Sequence, residues 1–220
     1  MTVTISRLFD DYATASKAVR DLEGEGLSPN DISIVSSNAD NWYTGDKAGT
    51  RGTAARDATG RVDRDRDGVD DRAEGAGAGA GVGAALGGAV GLLAGLGLLA
   101  IPGLGPVVAA GWLASTAAGA AAGAATGGIV GALTQAGVSE EDAHVYAEGV
   151  RRGGTLVTAR VPDAECARYE AMLDRSAVNI RDRRAAYRKA GWSKFDANAA
   201  PYTADQVRRE RDMYRTRGAA

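Results

Sequence analysis

The sequence predicts an α+β protein whose sheet-forming halves are separated by a long helical hairpin. Three observations predict it. A strand, helix, strand pattern opens the 220-residue chain, and a helix, strand, helix pattern returns after residue 139. Between them, Gly75 to Ser139 contains no charged residue, although charged residues make up 25% of the chain. A linker of that length would carry polar side chains, so this block must be buried by protein or by lipid.

The first strand follows from apolar residues on alternate positions, Val3, Ile5 and Phe9, interrupted by Arg7. Asp10 or Asp11 can cap a helix whose apolar positions Ala15, Ala18, Val19 and Leu22 fall at helical spacing, with Gly24 and Gly26 as stop signals. Ser28-Pro29-Asn30 then turns the chain into a second strand at Ile32 to Val35. A parallel pair joined by a right-handed crossover is expected for this βαβ unit.

The return half starts at Ser139-Glu140-Glu141-Asp142, a capping box for a helix through Val150, which Gly153-Gly154 terminates before a strand from Thr155 to Val161. A helix from Ala164 to Arg175 follows, and Ala177 to Ile180 is read as a final short strand. Two βαβ units in succession predict a split ferredoxin-like sandwich whose halves pair across the insertion. The expected organisation is residues 1–38 and 139–182 as the halves of the α/β domain, 39–74 as a polar Asp-rich linker, 75–138 as the hairpin and 183–220 as a basic tail with a helix.

Small residues recur in the hairpin at a four-residue interval. Gly75, Gly79, Gly83, Gly87, Gly91 and Gly95 form one series, and Gly111, Ser115, Gly119, Gly123, Gly127 and Gly131 form a second beyond Ile101-Pro102-Gly103-Leu104-Gly105-Pro106. On a helix, each series makes a groove into which another backbone can approach, so the pattern predicts a glycine zipper between arms Ala76 to Ala100 and Val107 to Ala136. Glycine costs up to about 1 kcal/mol per helical position against alanine, which only close packing offsets. Each four-residue step drifts by about 40° around the helix, so a single straight partner cannot follow a whole series; a homo-oligomer is expected. Either arm is also long enough to cross hydrocarbon, which keeps a hairpin-inserted or peripheral membrane protein as the alternative.

Before the hairpin, Asp63, Asp65, Asp67, Val69, Asp71 and Glu74 fall on the spacing of an EF-hand loop with Gly68 at its turn, making Ca2+ the candidate cofactor and a calcium-responsive binding module a further alternative. Arg64, Arg66 and Asp70 depart from that pattern, and a solvated Asp/Arg linker is the plainer reading.

The net charge of −2 hides strong segregation: −5 over residues 1–74, −3 over 140–180 and +6 from Arg181 to Ala220. A globally basic nucleic-acid binder is excluded. The tail has aromatics in Gly191-Trp192-Ser193-Lys194-Phe195-Asp196 and a capping box at Thr203 to Gln206 opening a basic helix through Arg217. Its mixed signs, Arg208-Arg209-Glu210-Arg211-Asp212, favour a salt-bridged contact with an acidic protein surface over a phosphate track. With one histidine, His144, and one cysteine, Cys166, neither an intramolecular disulfide nor a His-rich metal site can form. No acid, base and nucleophile set is visible, so an enzyme is not expected and no small-molecule substrate is identified. Without a secretory signal pattern at Met1 to Asp10, a cytoplasmic location is expected, with membrane association as the variant.

Thr4-Ile5-Ser6-Arg7-Leu8-Phe9-Asp10-Asp11 through Asp31-Ile32-Ser33-Ile34-Val35-Ser36-Ser37 resembles the general stress protein 17M-like domain of bacterial heat- and low-temperature-induced proteins. Gly137-Val138-Ser139-Glu140-Glu141-Asp142-Ala143 to Gly153-Gly154-Thr155-Leu156-Val157 resembles the second part of that arrangement around a glycine-rich hairpin. The resemblance implies a non-enzymatic, stress-associated protein and supplies no catalytic residues. The expected function is structural, with self-assembly through the glycine-zipper hairpin.

Overall fold

In a computed structural model, residues 1–44, 92–114, 116 and 128–218 are described. Strand β1 runs Thr2–Phe9, helix α1 Tyr12–Gly24 and strand β2 Ile32–Ser37. Asp11 caps α1: its Oδ1 accepts from the Thr14 amide at 2.8 Å and its Oδ2 from the Thr14 hydroxyl at 3.0 Å. The apolar stripe predicted for α1 is the buried one, comprising Ala15, Ala18, Val19 and Leu22.

Strands β3 (Gly97–Ile101) and β4 (Gly105–Gly111) follow, then helices α2 (Gly128–Gln135) and α3 (Glu140–Arg151) and strand β5 (Thr155–Pro162). Helices α4 (Cys166–Asp174), α5 (Ile180–Lys189) and α6 (Ala204–Gly218) complete the described order. The capping residues forecast for α3 and α6 do cap. Ser139 Oγ accepts from the Asp142 amide at 3.2 Å, while Thr203 Oγ1 accepts from the Gln206 amide at 3.3 Å and Gln206 Oε1 from the Thr203 amide at 2.8 Å.

The fold is α+β around one five-stranded antiparallel sheet in the order β1-β5-β2-β4-β3. The two sequence halves do pair, because β5 inserts between β1 and β2. Those two strands run parallel, as expected of the βαβ unit, and antiparallel β5 lies between them so that they are not hydrogen-bonded to each other. Ala177 to Ile180 also departs from expectation. It forms no strand; the Val178 amide donates to Leu8 O at 2.7 Å, and Asn179 then caps α5.

Both faces of the sheet are covered. On one, Leu8, Val35, Val107, Ala109 and Leu156 pack with Ile129 and Leu133 of α2 and Tyr146 and Val150 of α3. On the other, Ile5, Phe9, Ile34, Val157 and Ala159 pack with Val19 and Leu22 of α1 and Tyr169 and Leu173 of α4. This explains why all six residues of β2 are buried. Hydroxyls at central positions pair across strands instead of facing water: Ser6 with Thr158 at 3.1 Å and Ser36 with Thr155 at 2.8 Å.

Residues 97–111 differ most from expectation. They form a β-hairpin where the interval pattern predicts the ends of two helical arms. The physical reason lies in the local composition. Leu98, Leu99, Ile101, Val107 and Val108 suit a pleated surface, while Pro102-Gly103-Leu104-Gly105 makes a tight turn with φ of +75° at Gly103 and +79° at Gly105. Gly111 is required for a related reason. Its φ is +88°, and a Cβ there would lie 2.3 Å from Ile32 O, so β2 and the end of β4 approach too closely for any side chain.

Candidate functional site

Among the described residues, strand β3 occupies the outer position of the sheet, paired with β4 from Gly97↔Ala109 to Ile101↔Gly105. It has no charged residue, and Leu98 is 49% exposed on it. Leu99 turns to the other face and packs against the core beside Val107. Such a rim is unusual, since edge strands generally carry charge, proline or a bulge that blocks further pairing.

The turn between β3 and β4 is covered. Ile101 and Leu104 are 2% and 1% exposed, and Phe195 from the segment between α5 and α6 joins the same apolar cluster. Backbone contact is close along this cover. A Cβ on Gly103 would lie 2.7 Å from the Ala197 Cα and 2.9 Å from Asp196 O, and one on Gly105 would lie 2.6 Å from Pro201 Cβ. Farther along, Val207 of α6 is fully buried against Gly153, whose absent Cβ leaves the space for Val207 Cγ1.

Beyond these apolar anchors the seam is ionic. Glu148, on α3, is fully buried and receives Arg151 Nη2 at 2.8 Å and Arg152 Nε at 2.5 Å on Oε1. Arg152 continues to Glu210 on α6 at 2.7 Å, and its guanidinium stacks over the Tyr187 ring at 4.2 Å. Arg211 binds Asp40 at 2.5 Å and donates through Nε to Gly153 O at 2.9 Å. Arg183 pairs with Asp10 at 2.7 Å and stacks on Tyr214 at 3.5 Å. For Arg152, burial alone lowers the guanidinium pKa, but hydrogen bonding and charge from Glu148 outweigh it and the pKa is raised. The tail therefore contacts an acidic surface as its charge pattern predicted, and that surface belongs to its own chain.

The small-residue series is only partly within view. Gly75, Gly79, Gly83, Gly87, Gly91, Ser115, Gly119, Gly123 and Gly127 lie outside the described residues. Among the rest, Gly95 ends a short 3-10 turn, Gly111 ends β4 and Gly131 lies in α2. Those three do not share one helix face. The calcium candidates Asp63, Asp65, Asp67, Val69, Asp71 and Glu74 also lie outside the described residues. Among the described residues no group of three or more His, Cys, Asp or Glu side chains could hold a metal ion, and no helix is long and apolar enough to cross a membrane.

His144 sits on α3 with Nε2 3.8 Å from Glu140, an exposed carboxylate one turn away. Cys166 opens α4 and packs at the margin of the second apolar cluster. Burial first, then the Glu170 and Asp163 carboxylates, push its thiol pKa up, the opposite of what an activated nucleophile needs.

Sequence reasoning named Phe195 only as an aromatic of a tail loop and Gly103 only as part of a turn, and it did not single out Glu148 or Arg152. A signal existed for Phe195. The chain has only two phenylalanines, so each should be a core residue, and both Phe9 and Phe195 are buried. No protein-family model, curated protein or solved structure matches the chain.

Proposed function

We propose that this protein is a non-enzymatic structural protein that self-assembles through its charge-free, glycine-rich segment, and that it is stress-associated, as its sequence resemblance suggests. The observation that carries the proposal is the uncharged outer strand β3, with Leu98 half exposed on it. A second copy pairing antiparallel about Leu99 would set Leu98 opposite Ala100 and keep the faces of both sheets in register. The glycine series at residues 75–91 and 115–127 would supply further close contacts. We also infer a ferredoxin-like kinship, because β1, α1 and β2 form a split β-α-β unit with antiparallel β5 inserted between its two strands.

Self-assembly is favoured over a helical hairpin in lipid by the β-structure of 97–111. Insertion needs both arms continuous and helical, whereas Val107, Val108 and Ile101 are strand residues buried within protein. Mass photometry of the full chain tests the proposal. An oligomer is expected, with Leu98→Lys and Gly83→Leu each lowering its fraction while far-UV circular dichroism stays unchanged. A chain that stays monomeric at every concentration, or one retained in membranes after alkaline carbonate extraction, would overturn it.

A further inference from the structure

We propose that the C-terminal segment from Gly191 to α6 is a releasable strap that regulates self-assembly by covering the turn end of the β3–β4 hairpin. The proposal rests on the self-assembly reading above and assigns its control to a particular part of the chain. The covered surface is apolar: Ile101 and Leu104 are almost fully buried, and Phe195 is the strap residue that joins their cluster. This surface is continuous with the outer rim of the described sheet, since Ile101 is the last residue of β3 and the partly buried Leu99 lies two positions earlier on the same face of that strand. Releasing the strap would therefore enlarge one apolar surface that a second copy can cover.

The attachment has the character of a reversible contact. Phe195 and Val207 are its buried apolar anchors, Pro201 closes on Gly105, and charged side chains add to the grip: Arg152 with Glu210 at 2.7 Å and Arg211 with Asp40 at 2.5 Å. Contacts of this mixed, charged kind resemble transient interfaces more than permanent cores. Ionic strength and competing anions weaken them, whereas they strengthen apolar burial. A point of departure is also present. Gly191 ends α5 with φ of +85°, a conformation that releases the chain from the helix.

The test uses the full chain and two readouts, hydrogen exchange over residues 101–105 for strap docking and sedimentation velocity for assembly. Arg211→Glu removes the Asp40 pair, and Arg211→Glu with Asp40→Arg restores it with the charges exchanged. The single variant is expected to exchange roughly tenfold faster at 101–105 and to form larger assemblies, and the double variant to return both towards wild type. Faster exchange with unchanged assembly overturns the strap as a regulator and leaves self-assembly standing. No assembly by any chain overturns both readings. Should Arg211→Glu lose its cooperative unfolding transition, wild type at low and high ionic strength supplies the comparison. Equal exchange at 101–105 in the two conditions would then overturn the releasable strap.

Discussion

A ring carbon of Phe195 lies 2.8 Å from the place where a side chain on Gly103 would begin. The fit couples a tail residue to the tightest point of a hairpin more than ninety positions earlier in the chain. Gly103→Ala combines the strain of a left-handed alanine with overpacking against the backbone of Asp196 and Ala197, neither of which can swing aside. A loss of about 3 kcal/mol is expected in urea unfolding. Phe195→Ala should cost about as much by leaving a cavity beside Leu104, and the two losses should be less than additive.

Glu148 is the common acceptor for two arginines at the end of α3, and no other residue of the seam is so completely buried among charges. Glu148→Gln leaves both guanidinium groups with diminished compensation. It should destabilise the protein by about 3 kcal/mol, and Glu148→Gln with Arg151→Gln should recover part of the loss. Thermal unfolding of the three chains measures this directly.

Alkaline stability should depend on Tyr146. Its hydroxyl donates to Ser6 O at 2.7 Å, and burial pushes its pKa up to about 12. The folded state therefore binds the phenolic proton more tightly than the unfolded state does. The resulting stability is fully present below the ordinary tyrosine pKa near 10 and is lost as pH rises towards 12, a fall of roughly 3 kcal/mol. Tyr146→Phe should be about 1 kcal/mol less stable at neutral pH and show a shallower alkaline decline. Denaturation midpoints across that pH range check both signs.

Gly149 lies within α3, where alanine would ordinarily be favoured by about 1 kcal/mol. A Cβ there would meet Leu8 Cδ2 at 2.5 Å, and Leu8 is only 1% exposed, with little room to turn. Packing should win over propensity, so that Gly149→Ala costs about 1–3 kcal/mol. Shortening the neighbour in Gly149→Ala with Leu8→Val should recover much of it in the same unfolding assay.

The contrast between α1 and the hairpin explains what could be read in advance. Asp11, Ala15, Ala18, Val19 and Leu22 are local signals for a helix that buries one stripe, and the structure agrees with them. Ser139 and Thr203 similarly specify their helix starts through bonds that span three residues. At 97–111 two patterns compete, glycine every fourth residue and a turn flanked by β-branched and leucine residues. Pairing of β4 with β2 decides between them, and that partner lies seventy or more positions away. The insertion of β5 between β1 and β2 was hidden for the same reason, because strand order depends on distant edges. The ionic seam was legible as opposite charge on body and tail. Which arginine meets which carboxylate required the fold.

Strand β5 also sets the order in which the molecule can be made. It is the shared neighbour of β1 and β2, yet it begins only at Thr155, and its hydroxyl contact with β1 joins Ser6 to Thr158 across 152 positions. A nascent chain that has released β1, α1 and β2 still lacks the strand that joins them. Residues 1–37 must then remain open, with Ile5, Phe9 and Ile34 unprotected, until residues 155–162 have been synthesised. Such long-range closure favours slow, late folding, in which the entropy of a very large loop is lost before the central pairings form. The position of one strand thus extends the vulnerable period of synthesis and places its end at the emergence of residues 155–162.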